Sequence, residues 1–199
     1  QNIVNRHEVL RTVIYEKEGE GYQFIKDNSD WELQIVEGSK YKDDPEGLQS
    51  YIRSLIMAPF DLSEDYMMRG HLISINSTDH ILVVTLHHIA SDGWSASVIV
   101  RELVEFYKAY EEDRESNLNS LQIQYADYAI WQRNYLQGDV LQRKLDYWNK
   151  KLEGVEPLQL STDYTRPSIQ STKGAILEFS IDKELSDSLH TLSQKQDAT

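Results

Sequence analysis

The hydrophobic positions change period several times along the chain, and each change marks an element. Arg11-Thr12-Val13-Ile14-Tyr15 and Gly21-Tyr22-Gln23-Phe24-Ile25 read as strands flanking a polar, glycine-containing hairpin loop, Glu16 to Glu20. Glu32 to Val36 alternates as a third strand. Asp44-Pro45 opens a helix, with Asp44 as cap and Pro45 at the first helical position. Leu48, Tyr51, Ile52, Leu55 and Ile56 fall on one face of it, and Pro59 ends the run. Gly70 to Asn76 and His80 to His88 follow as strands joined by the turn Ser77-Thr78-Asp79.

The second of these strands is apolar on both faces, with Ile81, Val83 and Thr85 alternating with Leu82, Val84 and Leu86. That pattern predicts a central strand covered on both sides. A period of two also sends His87 and His88 to opposite faces, so only one of them points into any given site. A helix is predicted from Trp94 to Tyr110, with Ile99, Leu103, Phe106 and Tyr110 along one stripe. After a polar loop, Glu111 to Ser120, come helices over Tyr125 to Leu136 and Asp139 to Leu152. The second carries Leu141, Leu145, Trp148 and Leu152 at heptad-like spacing. A long connection, Glu153 to Lys173, holds Pro157 and Pro167; Ala175 to Ile181 then alternates as a strand, and Lys183 to Gln196 reads as a helix. Strands mixed with helices in this order give an α/β (α+β) class.

Composition narrows the function. The 199 residues are 40% hydrophobic and 27% charged, as in a globular domain. No apolar run approaches the length of a membrane span, and the start, Gln1 to Glu8, lacks the order of a signal peptide. The chain has no cysteine, which excludes disulfides, thiolate metal sites and a cysteine nucleophile, and fits a cytoplasmic protein. A net charge of −13 and the absence of a basic run argue against nucleic acid as a partner.

One motif concentrates chemistry: His87-His88-Ile89-Ala90-Ser91-Asp92-Gly93. Taken singly, its residues have bland readings. A histidine at a buried strand end is commonly a hydrogen-bonded core residue, Asp92 can simply cap the following helix, and Gly93 can ease the turn. Together they place at least one imidazole at a strand mouth, where sheets often present functional groups. Imidazole is the natural general base near neutral pH. No Gly-x-Ser-x-Gly elbow supports a serine nucleophile, and no glycine loop cradles phosphate. A metal held by His87, His88 and Asp92 with His71 or His80 is disfavoured, because adjacent strand histidines point apart.

His-His-x-x-x-Asp-Gly resembles the signature of non-ribosomal peptide synthetase condensation domains and of their relatives with the chloramphenicol acetyltransferase-like fold. Further segments match the condensation domains in family order: Arg6 to Thr12, Pro59-Phe60-Asp61-Leu62 with Arg69, Tyr125 to Gln132, Leu145-Asp146-Tyr147-Trp148, and Thr162 to Pro167. The aromatics Tyr125, Tyr128, Trp131 and Trp148 are expected to be core packing, and Arg6 and Arg11 to be ion-pair partners that hold the scaffold. The resemblance implies a mixed central sheet flanked by helices, truncated at both ends. Residues 1–173 would form most of an N-terminal lobe, and residues 174–199 the start of a second.

The resemblance further implies amide formation between an acyl or peptidyl thioester on an upstream carrier domain and the amine of an aminoacyl group on a downstream carrier. Both would arrive on phosphopantetheine arms, with no cofactor bound directly and no metal, and an adenylation domain would lie in the same polypeptide. His88 is the residue carried over as catalytic, as base or as hydrogen-bond donor to the tetrahedral intermediate, with His87, Asp92 and Gly93 in support. Asp92 is expected to be buried against an arginine, with Arg6, Arg11 or an arginine of the second lobe as candidates. The form Ile89-Ala90-Ser91-Asp92-Gly93-Trp94-Ser95 looks closest to the subtype accepting an L-configured donor. A coenzyme A-dependent acyltransferase of the same fold and a non-catalytic docking module remain the alternatives.

Overall fold

The computed structural model describes residues 1–27, 31–169, 171 and 174–198. The chain forms two compact units, Gln1–Lys151 and Leu152–Thr199.

The first unit opens with a short helix, α1 (Asn2–Arg6), and a single 3-10 turn, Glu8–Arg11. An antiparallel hairpin follows, β1 (Thr12–Lys17) and β2 (Glu20–Ile25), in the register Thr12 to Ile25 through Lys17 to Glu20. The connection is tighter than the predicted five-residue loop. Glu18 and Gly19 alone turn the chain, both at positive φ (57° and 81°), the backbone of a turn whose twist matches that of the strands it joins.

The second sheet has three strands: β3 (Gln34–Glu37), β4 (Met68–Ser74) and β5 (His80–Leu86), in the order β3-β4-β5. β3 runs parallel to β4, and β5 antiparallel to it. α2 (Pro45–Met57) makes the crossover; Asp44 caps it, accepting from the Gly47 N–H at 2.9 Å. Among the described residues β4, not β5, is the central strand. β5 pairs on one side only, and while Val83 is buried, Leu82 is 43% exposed. Among the described residues the two faces are thus covered unequally, with Leu82 and Val84 on the more open one.

α3 (Gly93–Glu111) lies across the beginning of the chain. Ile3, Val4, Leu10 and Met68 form a buried cluster, joined by Leu86, Ala90, Ile99 and Phe106. The buried stripe of α3 is rotated from the predicted one: Glu102 and Ala109 are buried, whereas Leu103 and Tyr110 face outward. Ile99 and Phe106 pack against the core cluster, and Glu102 between them meets Arg6 and His7 underneath the helix. α4 (Tyr125–Tyr135) and α5 (Gly138–Lys151) complete the unit.

Tyr125, Tyr128, Trp131 and Trp148 are about half exposed and do not pack a core as expected. Successive α4 rings contact each other instead, Tyr128 to Trp131 at 5.6 Å and Trp131 to Tyr135 at 5.1 Å between centroids. The helix touches the rest of its unit chiefly through its capped N-terminus, which leaves this aromatic face uncovered.

In the second unit, α6 (Lys183–Lys195) starts at Asp182, which accepts from the Leu185 N–H at 2.8 Å. The strand predicted over Ala175 to Ile181 is not formed: the segment pairs with no other strand among the described residues, and Ile176, Leu177 and Phe179 are exposed. Of the connection Glu153 to Lys173, Gln170, Thr172 and Lys173 lie outside the described residues, and Lys173 is also the last residue of the expected first lobe. Among the described residues no helix is long and apolar enough to cross a membrane.

Candidate active site

β5 ends at Leu86, two residues earlier than predicted, so His87 and His88 stand in the turn between β5 and α3 rather than on the strand. They nevertheless have separate surroundings. The His87 N–H donates to the Met67 carbonyl (3.0 Å), which extends the ladder by one bond. Its ring meets Phe60 edge-on, 5.5 Å between centroids at 73°. Nδ1 of His87 accepts from the Ile89 N–H at 3.0 Å, and its carbonyl accepts from the Ala90 N–H (3.0 Å) and the Ser91 hydroxyl (3.1 Å). His87 is thus half-buried and knits the turn together.

His88 is exposed. Among the described residues it makes one hydrogen bond, from Nδ1 to the Ser91 carbonyl at 3.1 Å. A carbonyl oxygen only accepts, so Nδ1 is the donor in this contact, and Nε2 is the ring nitrogen it leaves open. An imidazole held by Nδ1 at the mouth of a strand turns Nε2 toward any group that approaches it.

Asp92 is the N-cap of α3. Its Oδ1 accepts from the Ser95 N–H and hydroxyl, both at 2.8 Å, and the Ser95 hydroxyl in turn accepts from the Asp92 N–H at 3.2 Å. This reciprocal capping box satisfies donors that a helix start leaves unpaired. The Ser95 N–H, followed by its hydroxyl, holds the Asp92 carboxyl below the usual carboxylate range. Neither Arg6 nor Arg11 is the partner expected of Asp92: in this chain the carboxylate is exposed, and among the described residues its contacts lie at its own helix start. Gly93 begins α3 with open space over its Cα: a Cβ there would meet nothing within 4 Å.

The two arginines pair elsewhere. Arg6 Nε donates to Glu102 Oε1 at 3.1 Å, and Arg11 pairs with Glu8 at 3.3 Å. His7 Nε2 lies 2.6 Å from the other Glu102 oxygen. Burial alone would raise the Glu102 carboxyl, but the hydrogen bonds and charges of His7 and Arg6 outweigh it and hold the group below its ordinary value. Gln124 adds a second tie: its amide donates to the Arg6 carbonyl (3.0 Å) and accepts from the Glu8 N–H (3.2 Å). Sequence reasoning missed both Glu102 and Gln124. The legible signal for Glu102 was a carboxylate at helical spacing between Ile99 and Phe106, one position off the stripe as drawn.

His71 and His80 sit on β4 and β5, away from the turn. Burial, aided by the nearby Arg69 charge, lowers the His71 pKa. Among the described residues no three side chains of the metal-ligating kind gather into a site.

A mixed sheet whose edge strand passes through a histidine turn into a capped helix makes an α/β unit with one imidazole exposed at its mouth, and comparison with known proteins gives the class. The family model described as "Condensation domain" matches residues 1–199. Gramicidin S synthase 2 of Aneurinibacillus migulanus is 37% identical over 200 residues, spanning 100% of this chain and 4% of that protein. Enniatin synthase of Fusarium equiseti is 36% identical over 196 residues, spanning 98% of this chain and 6% of that protein. Among solved structures, the X-domain from teicoplanin biosynthesis superposes with a TM-score of 0.83 at 27% identity, over 100% of this chain and 44% of that one. The epimerization domain from the third module of tyrocidine synthetase B gives 0.69 at 22%, over 82% and 37%, and shares the fold. The chain belongs to the condensation domain family of non-ribosomal peptide synthetases. It spans a few per cent of the synthetases it matches and under half of the solved domains.

Proposed function

We propose that this chain supplies the histidine turn of a condensation domain that joins two carrier-bound groups by an amide bond. The amine of a downstream aminoacyl thioester attacks the carbonyl carbon of an upstream acyl thioester. The new C–N bond forms, His88 Nε2 takes the proton shed by nitrogen, the C–S bond breaks, and the proton passes to the departing phosphopantetheine thiolate. The observation that carries this reading is the Nδ1–H bond from His88 to the Ser91 carbonyl, which leaves Nε2 free on an exposed ring. Most of the acceleration comes from holding amine and thioester together, and orientation of this kind is worth roughly 7–11 kcal/mol in favourable cases.

In this reading residues 1–173 make up most of the N-terminal lobe and residues 174–199 begin the next. The upstream and downstream carrier domains deliver the substrates, an adenylation domain belongs to the same polypeptide, and the assembly works in the cytoplasm. His87, Asp92 and Gly93 shape the turn, while Arg6 and Arg11 hold the scaffold beneath it. The test is dipeptide formation by the full-length domain with loaded carriers. His88→Ala is expected to lose about 100-fold or more in rate, the scale of a positioned general base, with its Tm retained. A variant that keeps near-normal turnover sinks the assignment. Activity with free coenzyme A thioesters in place of carriers would move the chain to the related acyltransferases.

A second reading, a docking module, draws on the teicoplanin X-domain, which forms a complex with OxyB. Tight binding of a partner enzyme by a full-length domain that makes no amide would favour it.

A further inference from the structure

We propose that Phe60 and Arg69 are positioning residues for His88, acting through the ring of His87; the proposal rests on the catalytic reading of His88 given above. The chain of contacts begins on β4. Arg69 projects from the same face of the sheet as His71 and Ile73. Its guanidinium donates to the carbonyls of Ala58 (3.1 Å) and Pro59 (2.7 Å) and to the Asp65 carboxylate (2.7 Å). Fixed by three bonds, it lies 4.0 Å over the ring of Phe60. A guanidinium is planar and weakly hydrated, so it stacks on an aromatic face as an ammonium does not.

Phe60, clamped on one face, presents its ring to His87 at 73°. That contact fixes the rotation of the His87 imidazole, and the rotation decides whether Nδ1 faces the Ile89 N–H. Three donors of the turn end on His87: the N–H groups of Ile89 and Ala90 and the hydroxyl of Ser91. The last two end on the His87 carbonyl and only the Ile89 N–H ends on the ring. The ring therefore bears on Ser91 through the Ile89 backbone, and the Ser91 carbonyl is the group that accepts from His88 Nδ1. If Phe60 is lost, the His87 ring is free to turn, the Ile89 N–H loses its acceptor, and the Ser91 carbonyl drifts. His88 then populates both neutral tautomers, and the fraction with an open Nε2 falls. Groups that orient a functional histidine through its second nitrogen change activity about 10–100-fold when removed.

The experiment uses the full-length condensation domain with both loaded carriers and compares Phe60→Leu with Phe60→Tyr. Leucine keeps an apolar side chain without a ring, and tyrosine keeps the ring. Phe60→Leu is expected to lower kcat about 10-fold or more, with KM for either carrier within about two-fold, because orientation and not binding is lost. Two-bond 15N correlations of the histidine rings should show His88 passing from a single Nδ1–H tautomer to a mixture. Phe60→Tyr should restore both readouts. Should Phe60→Leu fail to fold, Arg69→Lys gives the same reading, since it keeps a cation beside Asp65 but loses the planar stack. An unchanged His88 tautomer in the folded leucine or lysine variant overturns the proposal. So does a kcat loss that Phe60→Tyr shares. If the tautomer responds to Phe60 while His88→Ala still turns over, the coupling stands and the catalytic assignment falls.

Discussion

At the scale of single residues, Asp92 decides how the histidine turn passes into α3. One of its oxygens accepts both bonds from Ser95, and its negative charge sits where the helix presents its positive end. An asparagine oxygen caps nearly as well as a carboxylate, whereas alanine cannot cap. In the full-length domain, Asp92→Ala should therefore lower the melting temperature by about 2–4 °C, with Asp92→Asn close to the parent. Thermal melts followed by circular dichroism distinguish the two. Equal loss in both variants would mean that the charge pairs with a cation, as the sequence suggested, and that the cap is secondary. The sequence reads Gly93 as a residue that eases the turn, but its backbone does not require glycine for that. Its φ lies outside the left-handed region, and what marks it is the open space above it, which no sequence period reveals.

At the scale of elements, the tie between α1 and α3 governs the scaffold beneath the turn. Glu102 is 3% exposed, and its carboxylate is shared by Arg6 and His7. Removing one member of a buried ionic cluster costs about 3–5 kcal/mol; Arg6 and His7 keep some access to water, so Glu102→Leu belongs near the lower figure, about 3 kcal/mol. The pH dependence follows from the lowered carboxyl. A group whose folded pKa lies below its unfolded one contributes stability above the unfolded value and loses it as pH falls through the folded one. The stability gap between the parent and Glu102→Gln should thus be full above about pH 4.5, the ordinary glutamate value, and shrink below it. Urea titrations across pH 3 to 7, roughly the carboxylate range and above it, measure this gap. A gap independent of pH would remove the ionic account.

The elements themselves were legible where a local rule sufficed. The helix opened by Asp44-Pro45, the strand ending near His87 and the helix after Asp92 follow from caps and periods that need no tertiary partner. What sequence did not show depends on neighbours. β5 reads as central because it is apolar on both faces, yet it occupies an edge among the described residues. Ala175 to Ile181 alternates like a strand but pairs with no other strand among the described residues. The inner face of α3 includes Glu102, whose partners Arg6 and His7 lie nearly a hundred residues earlier. α1 is five residues long, too short for any period to announce.

At the scale of the whole molecule, much apolar surface stays uncovered. Trp94 is 82% exposed, and Val100, Val104 and Tyr107 on α3 and the α4 rings face outward as well. Patches of this extent mark surfaces that other structure covers. The site also consists of one turn on one sheet, whereas amide formation between two tethered thioesters requires both to be held at once. The isolated 199-residue chain is accordingly expected to make no dipeptide with loaded carriers, while the full-length domain does so, since the orientation term is lost without an opposing wall. Product analysis by mass spectrometry checks this. Condensation by the isolated chain would mean that the turn and its immediate supports suffice.

The Gln124 amide has a consequence in time. It satisfies the Arg6 carbonyl and the Glu8 N–H across separations of 118 and 116 residues. At a synthesis rate of about 5–20 residues per second, Gln124 leaves the ribosome roughly 6–24 s after the groups it binds. The β1–β2 hairpin, closed by two residues, forms on a scale of about 1–10 μs and is finished long before. During that interval the segment leading into the hairpin carries backbone groups that only water satisfies. The β1–β2 pairing therefore precedes the fastening of the segment Arg6 to Glu8, which waits for the residue that opens α4.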